Sequence, residues 1–106
     1  DIFFPFEARR TKADSGWLSP FQGKDCISIA VHCYHKDAYE FLFSHVEPIF
    51  RKNGGRPHWG KLNSLTHDGA CTVYPDFENF KALRRELDPH GRMLNPYLAG
   101  LFGVRP

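Results

Sequence analysis

Cys26-Ile27-Ser28-Ile29-Ala30-Val31-His32-Cys33-Tyr34 alternates with a period of two. The alternation predicts a strand with Ile27, Ile29, Val31 and Cys33 toward a core and Ser28, Ala30 and His32 on the opposite face. The β-branched residues favour the pleated backbone. Upstream, residues 2–10 alternate as well: Phe4, Phe6 and Ala8 share one face, while Phe3, Glu7 and Arg9 share the other. Between the two lies Thr11 to Asp25, where Ser15-Gly16, Ser19-Pro20 and Gly23 read as a connection and not as a regular element. Two strands joined in this way are expected to pair antiparallel.

Downstream the period changes from two to 3.6. A helix is expected to start near Asp37, whose carboxylate caps it with Glu40 three residues on. Its apolar positions are Ala38, Leu42, Val46, Ile49 and Phe50, Pro48 kinks or shortens it, and Asn53-Gly54-Gly55 ends it. A second helix is expected from Asp76 to Leu87, with a stripe of Phe77, Phe80, Leu83 and Leu87 and a stop at Asp88-Pro89. The fold class is therefore α+β: antiparallel strands packed with two or three helices.

With 106 residues the chain is one domain at most, and 42% hydrophobic with ten Phe it can fill a core. Fourteen Lys+Arg against twelve Asp+Glu are spread through the chain, so no basic field points to nucleic acid. No apolar run has the length of a membrane span, and the amino end lacks the basic and apolar segments of a signal peptide. Starting without Met, at Asp1, the chain is expected to be a piece of a longer protein. Cys26, Cys33 and Cys71 form no C-x-x-C pair, which favours a reducing, cytoplasmic compartment over a disulfide framework. His67 and Cys71 stand four apart, as ligands on one helix face would, but Gly69 and its polar neighbours argue against a helix there. No metal site is expected.

Three local groups carry chemistry. Glu7 and Arg9, same-face neighbours, offer a carboxylate and a guanidinium fork to one polar ligand, or form a plain surface ion pair. His58-Trp59-Gly60-Lys61 combines an imidazole, a flat apolar surface and an ammonium suited to developing negative charge, or is a loop anchored by a buried Trp. Asn95-Pro96-Tyr97 reads as a turn opening a short helix. None is a self-sufficient catalytic set, and no phosphate loop, nucleophile elbow or dinucleotide fingerprint is present.

The order of these pieces resembles the carboxyl-terminal part of the FAD-dependent sugar-lactone and alditol oxidases, members of the vanillyl-alcohol oxidase flavoprotein superfamily. The residues that carry it are Glu7-Ala8-Arg9, Trp17-Leu18-Ser19-Pro20, Gly54-Gly55-Arg56-Pro57-His58-Trp59-Gly60-Lys61, Tyr74-Pro75, Leu87-Asp88-Pro89-His90-Gly91 and Leu94-Asn95-Pro96-Tyr97-Leu98. They run through nearly the whole chain, and Arg-Pro-His-Trp-Gly-Lys is the most specific. That family includes L-gulonolactone and D-arabinonolactone oxidases and alditol oxidases.

The resemblance implies that residues 1–106 are the terminal part of a larger substrate-binding cap domain, with the FAD-binding domain elsewhere. It implies oxidation of a sugar-1,4-lactone or alditol by hydride transfer to the flavin, with dioxygen or another acceptor taking the electrons. By the same resemblance Glu7, Arg9 and Lys61 are catalytic. Glu7 accepts hydrogen bonds from substrate hydroxyls, and Arg9 orients the substrate oxygen and favours the reduced flavin anion. Lys61 either helps remove the hydroxyl proton or stabilises the charge left behind. His32 forms a wall of the substrate pocket where alditol oxidases carry a small hydroxyl residue, and His58, Lys61 and Asn95 lie on the cofactor side. Alone, the chain is expected to be inactive, to pair with its flavin-domain polypeptide or to self-associate through an open strand edge. A stand-alone binding module without catalysis is the alternative.

Overall fold

A computed structural model describes residues 6–104. Two strands, β1 (Glu7–Thr11) and β2 (Cys26–Ala30), pair antiparallel, with Glu7 opposite Ala30 and Arg9 opposite Ser28. A π-helical segment, Leu42–Val46, runs directly into α1 (Glu47–Lys52), and α2 (His67–Val73), α3 (Phe77–Leu87) and α4 (Pro96–Phe102) follow. The class is α+β, as the periodicities imply. Residues 2–5 of the first expected strand lie outside the described residues.

The second strand is shorter than its alternation suggests, and its faces are reversed. It ends at Ala30, and Ile27 and Ile29 are 65% and 48% exposed, whereas Cys26, Ser28 and Ala30 are half-buried. The cause is the location of the core. Ala70, Tyr74, Phe77, Leu101 and Phe102 are the buried apolar residues, all from α2 to α4, with Phe77 and Phe102 stacked at 5.7 Å. Among the described residues, no second layer covers the apolar face of this two-stranded sheet. Ile29 and Val31 instead line an open apolar groove of about 450 Å³ with Phe6, Phe41, Val46 and Phe50.

The first helical region also starts later than expected. Asp37 closes a turn on the Tyr34 carbonyl, and the helical segment enters at Phe41 without a side-chain cap. Pro48 then accounts for the π-turn. A proline has no N–H to donate, and its ring clashes with the carbonyl four residues back. Widening the turn so that the Glu47 N–H reaches the Leu42 carbonyl lets the chain pass through Pro48 without breaking. The stop is as expected: Gly54, at φ 71°, takes the left-handed conformation, and Gly55 N–H bonds the Phe50 carbonyl.

The largest departure is α2, where Gly69 was expected to prevent a helix. The Thr66 hydroxyl caps it by accepting from Gly69 N–H, and Ala70 and Tyr74 bury against α4. A cap contributes about 1 kcal/mol, much the same as an interior glycine costs, so the buried apolar contacts decide. In α3 only the first half of the stripe is covered; Leu83 and Leu87 are exposed. Among the described residues, no helix is long and apolar enough to cross a membrane.

Candidate functional site

The β1–β2 register assembles one polar face. Directly opposed residues of an antiparallel pair lie on the same side, so Glu7, Arg9, Ser28 and Ala30 share it, and His32 follows two residues on. Arg9 Nη2 forms an ion pair with Glu7 Oε1, and His32 Nε2 lies 3.7 Å from Glu7 Oε2. All three side chains are open to solvent, at 40% exposure for Glu7, 75% for Arg9 and 43% for His32. An ion pair this exposed contributes about 0–1 kcal/mol to stability, so its arrangement matters for what it can bind.

Lys61 stands on a separate turn that is fastened from several sides. The His58 carbonyl accepts from Lys61 N–H at 3.0 Å, and His58 Nδ1 accepts from Gly60 N–H at 3.1 Å. Trp59 packs against the helical core and donates its indole N–H to the Leu18 carbonyl at 3.1 Å. Arg56 reaches the Gln22 carbonyl at 2.8 Å, and the Tyr74 hydroxyl donates to the Pro57 carbonyl at 2.6 Å. Asn63 Nδ2 donates to the Lys61 carbonyl at 2.6 Å and the Trp59 carbonyl at 3.2 Å, while Tyr97 donates its hydroxyl to the same Trp59 oxygen. The backbone of the turn is thus held while the Lys61 ammonium has no partner among the described residues. The anchored Trp of the His-Trp-Gly-Lys run is thus observed.

Asn95 caps α4, its Oδ1 accepting from Leu98 N–H at 2.8 Å. Among the described residues, its Nδ2 has no hydrogen-bond partner, and neither has the Nε2 of the exposed His58. Among the described residues, no hydrogen bond or ion pair joins Lys61, His58 or Asn95 to the Glu7–Arg9–His32 group. Asn63, which ties down the Lys61 turn, was not found by the sequence reading, and its signal was only proximity to the His-Trp-Gly-Lys run; Tyr97 was read there only as part of a turn opening a short helix.

A second polar cluster joins α2 to α3. His67 and Cys71 share a face of α2, and Glu78 and Lys81 come from α3. The Lys81 ammonium is 2.9 Å from His67 Nε2 and 3.0 Å from Glu78 Oε1, and Cys71 Sγ is 3.5 Å from the same carboxylate oxygen. The Lys81 hydrogen bond holds the Glu78 carboxyl below its usual range. Burial, reinforced by Glu78, pushes the Cys71 thiol up. Tyr74, shut into the core, is pushed up to about 12 by loss of solvation.

A family model described as D-arabinono-1,4-lactone oxidase matches residues 1–101. The chain is 39% identical over 103 residues to an L-gulonolactone oxidase of Scyliorhinus torazame, covering 93% of this chain and 23% of that protein. It is 39% identical over 102 residues to an L-gulono-1,4-lactone dehydrogenase of Mycobacterium tuberculosis, covering 96% and 24%. An alditol oxidase of Streptomyces sp. is 35% identical over 98 residues, with 90% and 23% covered. The chain spans less than a quarter of the length of these curated relatives.

Proposed function

The chain belongs to the D-arabinono-1,4-lactone oxidase family, and on that premise we propose that it is the terminal substrate-domain segment of an FAD-dependent oxidoreductase acting on a sugar-1,4-lactone or alditol. The observation that carries this reading is the solvent-open Glu7–Arg9–His32 face, together with a separately anchored turn whose Lys61 ammonium has no partner among the described residues. Hydroxyl-rich substrates need a carboxylate acceptor and rigid cationic donors, and the Glu7–Arg9 pair offers both while remaining open to solvent.

The residues proposed for the cofactor side would supply hydrogen-bond donors to a flavin. The Lys61 ammonium, the Asn95 amide nitrogen and the exposed His58 ring are donors matched to its electron-rich oxygens and nitrogens, while the enclosing walls come from the flavin-binding part of the enzyme. When bound, FAD supplies the acceptor for the carbinol hydride, and dioxygen or another oxidant then takes the electrons. Glu7 accepts hydrogen bonds from substrate hydroxyls and fixes the sugar against the sheet. Arg9 holds the oxygen of the reacting carbinol by its N–H donors. Lys61 stabilises the negative charge that develops on that oxygen as its proton passes to solvent. His32, against Glu7, sets the width of the pocket wall. The three free cysteines suit a reducing, cytoplasmic setting.

The test is native mass with visible absorbance across the same peak, followed by turnover of L-gulono-1,4-lactone and of a linear alditol. A yellow species much larger than 12.2 kDa, whose turnover disappears in Glu7→Gln, is the expected result. A flavin-loaded species on which Glu7→Gln, Arg9→Ala and Lys61→Ala all leave turnover unchanged overturns the proposed roles.

A further inference from the structure

The cluster between α2 and α3 holds more than a salt bridge. His67 Nε2, Cys71 Sγ and a Glu78 carboxylate oxygen lie within 4.8 Å of one another. The individual separations are 3.8 Å from His67 Nε2 to Cys71 Sγ and 3.5 Å from Cys71 Sγ to Glu78 Oε1. Tetrahedral zinc with sulfur at about 2.3 Å and nitrogen or oxygen at about 2.0–2.2 Å sets neighbouring ligand atoms about 3.3–3.6 Å apart. Two of the three separations are therefore within a few tenths of an ångström of those a bound ion sets, and the third pair, His67 Nε2 and the Glu78 carboxylate, lies within 4.8 Å.

Two further observations point the same way. The cluster already holds a cation, the Lys81 ammonium, which bonds His67 Nε2 and Glu78 Oε1. Accepting from an ammonium requires a bare Nε2, so the ring proton sits on Nδ1, 3.3 Å from Asp68 Oδ1. That is the outer carboxylate partner which fixes the tautomer of a metal-binding histidine. The ring also lies close against Gly103: a Cβ there, at φ 66°, would fall 2.9 Å from its Cδ2 and Nε2.

We propose that His67, Cys71 and Glu78 form a three-donor site for Zn²⁺, with water in the fourth position and Asp68 orienting His67. On binding, Cys71 gives its proton to solvent, and the flexible Lys81 side chain leaves the ion's position and turns outward. The metal then ties α2 to α3. Nothing in this inference depends on the lactone reading, and its test does not use turnover.

The experiment titrates the 106-residue chain with ZnCl₂ in competition with a chromophoric chelator, and separately with Co²⁺ for its sulfur charge-transfer absorption. The expected result is one Zn²⁺ per chain, a Co²⁺ band that disappears in Cys71→Ser, and an increase in melting temperature with Zn²⁺. Cys71→Ser and His67→Ala are expected to weaken binding by at least about ten-fold, a loss that even outer partners of a metal produce. Lys81→Met, lacking the competing ammonium, is expected to bind more tightly. Cys71 is exposed, so Cys71→Ser is decisive should His67→Ala fail to fold. The absence of binding, or binding that survives Cys71→Ser unchanged, overturns the proposal.

Discussion

His32 Nε2 lies 3.7 Å from Glu7 Oε2, although Glu7 belongs to β1 and His32 lies two residues past the end of β2. Antiparallel register places them there: Glu7 pairs with Ala30, and His32 lies two residues further on the same side. His32 therefore acts at the same end of the polar face as the carboxylate proposed to receive the substrate. Replacing it with Thr is expected to change the ratio of kcat/KM for a 1,4-lactone over a linear alditol by about ten-fold or more, the usual yield of reshaping one pocket contact. An unchanged preference in the flavin-loaded enzyme counts against His32 as a wall of the pocket.

Among the described residues Lys61 makes no side-chain bond, so Lys61→Ala is expected to leave the melting temperature unaltered. In the flavin-loaded enzyme it is expected to lower kcat by about 10²–10³, as loss of one donor to developing negative charge does. A drop in stability with kcat intact would reverse the assignment.

Asn63 affects the same turn through its backbone. Its amide bonds the carbonyls of both Trp59 and Lys61, so Asn63→Ala leaves the turn around Lys61 less constrained. Urea unfolding is expected to show a loss of about 1–2 kcal/mol. Unlike Lys61→Ala, this substitution lowers stability and kcat together.

Tyr74 is expected to titrate near 12, above its ordinary value of 10. Because the folded-state value is raised, its contribution to stability is fully present below pH 10 and is lost as pH rises through about 12. Tyr74→Phe removes that alkaline loss but also the bond to the Pro57 carbonyl, at a cost of about 1–2 kcal/mol at neutral pH. Absorbance of tyrosinate against pH, alongside melting temperature, checks both.

Asp88 works at the other end of the pH scale. The Met93 N–H first, then the Arg92 N–H and nearby Arg84, hold its carboxyl below the ordinary value of 3.8. A lowered value means that its stabilisation is present above pH 3.8 and is lost as pH falls through the depressed folded value. Asp88→Asn is expected to flatten the melting temperature against pH in that acid range.

Much of the site was legible along the chain because its contacts are local. Glu7 and Arg9 are alternate residues of one strand, and period two alone places them together. The turns at Gly54 and Asp88 follow from residues that permit or force a stop. The faces of β2 were not legible: alternation sorts Ile27 and Ile29 from Ser28 and His32, but which set is covered depends on where the rest of the apolar mass collects. Here it collects between α2 and α4, leaving the isoleucines exposed. Nor was α2 legible, since its cap and glycine nearly offset each other and the outcome depends on Ala70 and Tyr74 meeting Leu101 and Phe102.

The sequence by itself determined the α+β class, the antiparallel pair, the helix stops and the family, because periodicity, glycine and proline chemistry, and motif order act over a few residues at a time. Only the tertiary structure decided that His32 meets Glu7, that Asn63 and Tyr97 hold the Lys61 turn, and that α3 brings Glu78 and Lys81 against His67 and Cys71. These groupings join residues from different elements, and they depend on how the elements pack.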